Sequence, residues 1–485
     1  MLRNFMKNVS FMLALNLMIK PLWVLSEIWV QNRVGDTQYG LYSAALALCM
    51  ILGISLDLGI NQMTTREVAR DSVSAKSFFA EAMGVKILLI PVFLVLVFST
   101  AVFLGYNKEQ MQMLSILALA QIFTSLLLFV RAGFQGLHYF KQDSVLSVTD
   151  RLILIIGLGL LLFFTVFNVF YLAYMQLLAY SITFLIAGLW LQKKSSYVKV
   201  YFRQESVKKI LKKTAPYAVL WFFMTIYTRI DSVMLEWLLR DTQSKDFGKY
   251  MAGVYASAYR LMDFSNTIPI MFATIMFPVF SSLLDKKRAL ELLIKNVLAV
   301  MLFVAFLIVS VTTFYSKDIL MLLYKSKNVT SVELASPIFV VLMWAYICFV
   351  LIYVFGTLLT SAEVLKKLSQ ITVIGAVVSV VLNAVLIPRY HALGAAIALF
   401  FTQILMVVLH IILCQKHFHF KYEIKFLARI FIFAGMSFVV SYISTFLPLF
   451  WILNALISIV LNTAFAFAVK LVSKEVFLSL LKRNK

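Results

Sequence analysis

The sequence predicts an all-α protein that crosses a membrane about fourteen times, with both termini cytoplasmic. Three observations predict it. Apolar runs of about twenty residues, the length of a helix that spans a bilayer core, recur along the whole chain. Of its 485 residues 62% are hydrophobic and 14% charged, and the mean hydropathy is +0.92. The connections are short, the longest roughly twenty residues at 192–213 and 315–331, too little chain for a soluble domain. Basic residues also favour one side. With the N-terminus inside, the inner segments hold about 30 Lys and Arg and the outer loops about 9.

The expected spans are 8–30, 40–60, 79–104, 111–130, 145–164, 169–191, 214–239, 252–283, 292–314, 332–357, 367–387, 393–414, 426–446 and 450–472. The first follows Arg3 and Lys7 but carries Asn16, Lys20 and Glu27 and lacks a small-residue cleavage site, so it reads as a retained helix. Pro21 removes a backbone donor at its middle, which predicts a kink there. Between spans six and seven lies the most basic segment, KKSSYVKVYFRQESVKKILKK, read as a topological anchor on anionic lipid. The net charge of +22 follows from such segments, and a nucleic-acid role is excluded.

Cys49, Cys348 and Cys414 lie within apolar runs and read as packing residues. No His, Cys, Asp and Glu grouping has metal spacing, and no cofactor is expected. Asn328 and Thr330 fit a glycosylation acceptor, which carries no meaning in a bacterial protein.

The basic segment divides the first six spans from the next six, and the halves read as weak repeats. YGLYSAALAL at 39–48 and AGVYASAYRL at 252–261 both contain Gly, an aliphatic residue and Tyr, at Gly40 and Tyr42 and at Gly253 and Tyr255. Repeated halves are common in secondary transporters, whose solute site lies near the midplane. The expected domains are 1–205, 206–415 and 416–485, the last holding spans thirteen and fourteen and a cytoplasmic tail.

Charges inside spans are costly and usually face protein or a wet cavity. In the first span Asn16, Lys20, Trp23 and Glu27 are spaced 4, 3 and 4 and form one polar stripe. In the seventh, Thr225, Arg229, Ser232 and Glu236 repeat that spacing, while Asp231 points elsewhere and is expected to pair with a neighbouring span. Arg260 and Asp263 share a face of the eighth. Lys20, Arg229 and Arg260, with Asn16 and Thr225, are the expected contacts for an anionic, phosphorylated solute, since a guanidinium matches two phosphate oxygens. Glu27, Asp57, Asp231 and Asp263 are the acids assigned to ion coupling or to structure. Lys86 is expected to snorkel to the inner surface, and Asp57, Asp150 and Arg151 to form structural pairs near inner span ends.

The segments VGDTQYGLYSAALALCMILGISLDLGINQMTTREVAR (34–70), RAGFQGLHYFKQDSVLSVTDR (131–151), TRIDSVML (228–235), GVYASAYRLMDFSNTIPIMFATIMFPVFSSL (253–283) and IPRYHALGAAIAL (387–399) resemble the polysaccharide and O-antigen flippases of the Wzx type, in the MOP superfamily. They span most of the chain in the expected order. Met262 and Asp263 stand where Val and Glu are usual. The resemblance implies a MATE-like fold of two six-helix bundles around a central cavity, with two added C-terminal helices. It implies a transporter rather than an enzyme, in the bacterial inner membrane. Its cargo would be an undecaprenyl-pyrophosphate type of lipid-linked oligosaccharide, moved by alternating access for O-antigen, capsule or exopolysaccharide synthesis. Lys20, Arg229 and Arg260 match the cationic cavity role. The implied partners are that cargo, membrane lipids, a glycan polymerase and a chain-length regulator. With no nucleotide site in the sequence, energy would come from an ion gradient, the membrane potential or consumption of product.

The competing readings are a drug or cation antiporter of the same fold, which needs a central acid; a lipid II flippase, which would be essential for growth; and a membrane glycan polymerase or ligase, which needs a large outer loop.

Overall fold

The computed structural model describes residues 2–70, 75–161, 167–195, 200–240, 242–324, 329–420 and 423–472. Among them the elements are helices: α1 (Leu2–Leu52), a short 3-10 turn (Gly53–Leu56), α2 (Ile60–Arg70), α3 (Ala75–Phe103), α4 (Lys108–Gly136), α5 (Phe140–Leu161), α6 (Val169–Ser195), α7 (Gln204–Leu238), α8 (Phe247–Ser265), α9 (Thr267–Leu283), α10 (Lys287–Leu323), α11 (Val329–Ser361), α12 (Leu365–Phe418), α13 (Ile424–Ser444) and α14 (Trp451–Ala468). Asn328 of the acceptor triplet and the tail beyond Val472 lie outside the described residues, as does part of the basic segment, 196–199.

Among the described residues, twelve helical stretches are long and apolar enough to cross a membrane. Two of them, α1 and α12, turn a corner partway along. In α1 the corner is Gly35, at φ 80° and ψ 169°. The Tyr39 hydroxyl reaches Glu27 Oε1 at 3.4 Å, although a straight helix would separate these residues by about 18 Å along its axis. A glycine adopts that left-handed φ without the Cβ penalty other residues meet. In α12 the corner is His391, and Gly394 sits so close to Leu386 that a Cβ on it would lie 2.2 Å from the Leu386 carbonyl oxygen.

The midspan kink expected at Pro21 is not where α1 breaks. Its backbone keeps helical dihedrals through Pro21 and leaves them at Gly35. Losing one N–H leaves a long helix continuous when its neighbours hold it, whereas a positive φ ends it.

The chain divides into two compact units, Met1–Ala256 and Ser257–Lys485. In the first, α4 packs on α6, α1 and α2, and α1 packs on α5 and α7. Its core is aliphatic and aromatic, with Tyr42, Phe93, Leu114 and Leu172 buried. The amphipathic α2 buries Ile60, Thr64 and Val68, one residue per turn, and leaves Arg66 and Arg70 exposed.

The two repeat motifs meet inside this first unit. A Cβ on Gly40 would lie 1.7 Å from the Lys249 carbonyl oxygen, and one on Gly253 would lie 1.9 Å from that of Asp36. Small residues let helix backbones approach this closely. The buried Gln31 amide clamps the contact, donating to Asp36 Oδ1 at 2.7 Å and to the Gly253 carbonyl at 2.8 Å.

Lys86 does not snorkel. It is 1% exposed, 3.2 Å from Asp57 Oδ1, and it donates to the Ser125 hydroxyl and carbonyl at 2.8 and 3.1 Å. The Phe129 ring also lies beneath it, at 5.6 Å. With three oxygens and a ring within reach, the ammonium has no need of water. Asp57 also accepts from the backbone N–H of Asn61 at 3.2 Å, so the pair fixes the start of α2.

In the second unit α11 packs on α12, α10 and α9, and the α13–α14 pair docks on α10. Hydrogen bonds line that dock. Ser437 donates to Ser310 at 2.9 Å and Tyr315 and Ser444 share a bond of 2.8 Å, while Ser441 and Ser458, at 2.7 Å, join α13 to α14. Lipid removes much of the hydrophobic drive between helices, so small side chains and such bonds hold them.

Candidate functional site

Asn16, Lys20, Trp23 and Glu27 lie on the first arm of α1, and all four are partly buried. Helix α5 supplies their partners. The Asn16 amide faces Ser147 Oγ at 3.5 Å, and the Arg151 guanidinium donates to Asn16 Oδ1 at 3.3 Å. Lys20 stands one helical turn from Asn16 on the same face. The structure therefore adds Arg151 to the polar stripe of α1. The guanidinium thereby serves the first span. Sequence reasoning missed this role. The available signal was the run of Asp143, Ser147 and Arg151 at four-residue steps in an apolar helix.

Further along this face, Glu27 accepts from Tyr39. Beyond it Tyr42 donates to Gln176 Oε1 at 3.0 Å, and the Gln176 amide reaches Tyr180 at 3.2 Å. The first unit thus carries polar contacts within α1 and between α1 and α6. Lys20, Arg151 and Asn16 together offer ammonium, guanidinium and amide donors, the set that hydrogen-bonds a multiply charged oxyanion.

On α7, Arg229 is partly buried. Thr225 turns its hydroxyl back to the Trp221 carbonyl at 2.8 Å. Asp231 is 2% exposed and accepts hydrogen bonds from the Tyr255 hydroxyl on α8 and from the Ser232 N–H, the neighbouring-helix partner expected for it. Glu236, the last member of the α7 stripe, pairs with Arg240 at 2.9 Å.

In the second unit Arg260 is 7% exposed and donates to the Tyr324 hydroxyl at 2.9 Å, which in turn donates to the Ser257 carbonyl at 3.1 Å. Asp263, on the same helix, is exposed. Arg260 and Asp263, at i and i+3, thus differ in exposure. The structure also gives Asp57 a structural partner in Lys86.

Solved structures share this fold. The lipid II flippase MurJ, in an inward closed conformation, is 14% identical, covers 94% of this chain and 97% of its own, and superposes with a TM-score of 0.76. An inward-facing multidrug resistance MATE family transporter of the MOP superfamily is 16% identical, covering 84% of this chain and 98% of its own, with a TM-score of 0.62. A MOP superfamily transporter from Pyrococcus furiosus, described as having a binding pocket of reverse polarity, is 15% identical, covering 85% of this chain and 95% of its own, with a TM-score of 0.60. At these identities the likeness establishes the fold alone. No curated protein sequence matches. The profile of the polysaccharide biosynthesis proteins matches residues 5–284, more than half of the chain and nearly all of the first unit with its polar stripe. The chain is thus a multi-pass membrane protein that belongs to the polysaccharide biosynthesis protein family.

Proposed function

We propose that the protein is a flippase that carries a polyprenyl-pyrophosphate-linked oligosaccharide across the bacterial inner membrane by alternating access. The observation that carries this reading is the approach of Arg151 to Asn16, which sets a second cation about one helical turn from Lys20 on the face of the first span. Two cations and an amide in the interior of an apolar lobe suit a diphosphate, and they suit a cationic drug poorly. Family membership supports a polysaccharide pathway, and the fold shared with lipid II flippase MurJ supports a lipid-linked cargo.

In this account Lys20 and Arg151 take the diphosphate charge as the headgroup enters from the cytoplasmic side. Arg229 on α7 and Arg260 on α8 serve as later cationic contacts, and Thr225 lends polarity beside Arg229. Glu27 is placed to exchange an ion or proton in the same stripe, with Tyr39 as its hydrogen-bond partner. Asp57 is assigned to structure, as the partner of Lys86.

The test is transfer of glycan to the cell surface in a strain that depends on this gene. A hydrogen bond to a charged group is worth about 1.5–3 kcal/mol, so Arg151→Ala or Lys20→Ala is expected to lower export about 10- to 150-fold at normal protein abundance. Arg151→Lys is expected to recover part of it. Wild-type export from both alanine variants would overturn the reading. Efflux of a cationic dye that depends on Asp231 would favour an antiporter, and loss of viability without change in surface glycan would favour a lipid II flippase.

A further inference from the structure

At the end of the first unit where the α1 corner, the α3–α4 turn and the α7–α8 turn gather, charged residues form two unlike contacts. One is heavily bonded. Glu236 on α7 is 1% exposed and accepts from the Gln110 amide at 2.6 Å and from Arg240 at 3.1 and 2.9 Å. Arg240 donates in addition to the carbonyls of Leu104 and Gly105 at 2.8 and 2.9 Å, where α3 ends. A cation is favoured there, since the last carbonyls of a helix lack partners and carry its negative end. Gln110 also closes a reciprocal cap with Asn107 at the start of α4. Arg240 lies over the Tyr106 ring at 5.5 Å, and burial first, then the Glu236 charge, hold the Tyr106 phenol above its usual range. Separating α7 from α3 and α4 here would orphan several buried groups at once.

The other contact is lighter. Lys249 on α8 is 3.1 Å from Glu109 on α4 and 2.8 Å from Asp246, three residues before it. Glu109 also accepts from Gln38, beside the α1 corner, at 3.4 Å. The ammonium is buried, but both acids stand at or near 40% exposure and stay hydrated. Asp246 belongs to the turn that leads into α8 and moves with Lys249. If α8 leaves α4, Lys249 keeps one acid and Glu109 gains water, so no buried charge is stranded.

We propose that Lys249 is a two-position latch, with Glu109 its partner when this end is closed and Asp246 its partner when the end opens, while Arg240 and Glu236 form the pivot about which it opens. The proposal rests on the alternating-access reading but requires no particular cargo. Under the expected orientation this end faces outward, and the latch governs release of the transported headgroup.

The test reads opening directly. Cys49, Cys348 and Cys414 are replaced by Ser, and Ala252, fully buried beside Gly253, is changed to Cys as a reporter. Labelling by a water-soluble maleimide is followed in the purified, reconstituted protein. Glu109→Gln is expected to speed labelling at least fivefold. Asp246→Asn is expected to slow it below the parent rate, because Lys249 then has Glu109 alone. An ion cluster that merely supports the fold would respond in the same direction to loss of either acid. Faster labelling in Asp246→Asn, or no change in Glu109→Gln, would overturn the proposal. Ala179→Cys, buried within the first unit, serves as the control for general loosening and is expected to label at the parent rate in both variants. If Ala252→Cys does not fold, Ala44→Cys, one turn along from Gly40 and also buried, reports on the facing helix with the same expected signs. Because glycan export is not the readout, failure of the latch leaves the cargo assignment standing, and the reverse.

Discussion

The Lys86 ammonium shows how a single buried charge is managed in this chain. Breaking a buried ion pair by removing one partner costs about 3–5 kcal/mol, because the remaining charge is left uncompensated. Asp57 is 22% exposed on its side chain, so the lower part of that range applies. Lys86→Met is therefore expected to lower stability by about 3 kcal/mol, and the double variant Lys86→Met with Asp57→Asn to recover most of it. Thermal unfolding of the purified protein in detergent measures both. The same residue marks a boundary of what sequence can tell. Its depth in an apolar run was legible, but its azimuth was not, and Ser125 and Phe129 lie far from it in the chain. Gly40 and Gly253 were the opposite case. Their shared motif was legible as a repeat, and the structure shows the two members pressed together. A methyl group at either position would overlap a backbone oxygen. Gly253→Ala is accordingly expected to force α8 away from α1 and to raise labelling at a neighbouring buried cysteine severalfold.

At the scale of the helix, the fourteen apolar runs were readable because a bilayer fixes span length and leaves the backbone no alternative to internal hydrogen bonding. The breaks were less readable. Pro21 drew attention as a kink, yet the turn of direction lies at Gly35, where a positive φ rather than a missing donor decides the path. Arg151 was expected near a span end but lies in the middle of α5, and its approach to Asn16 depends on how α5 rotates against α1, which periodicity does not fix. The dock of α13 and α14 onto α10 is likewise a tertiary feature. Interhelical hydrogen bonds in membranes are worth about 0.6–2 kcal/mol each. Ser437→Val is expected to weaken this dock by about 1 kcal/mol. Asn462→Leu, which removes bonds to Ser441 on α13 and to Ser458 on its own helix, is expected instead to loosen α14 from α13. Limited proteolysis between α12 and α13 would show the released pair as faster cleavage.

For the molecule as a whole, the net charge of +22 has two parts. Most of it sits in connections, where it sets topology. A small remainder lies inside spans, at Lys20, Lys86, Arg151, Arg229 and Arg260. The structure sorts these five. Lys86 and Arg260 are buried, whereas Lys20, Arg151 and Arg229 are partly buried. That sorting concentrates the proposed chemistry on α1, α5 and α7, within the residues that the family profile matches. The measurement that bears most directly on it is binding of a short-chain polyprenyl diphosphate to the purified protein, compared with the monophosphate. The diphosphate is expected to bind at least tenfold more tightly than the monophosphate, and Arg151→Ala to abolish that preference. Equal affinities for the two lipids, or an unchanged preference in Arg151→Ala, would contradict the cationic site on the first span.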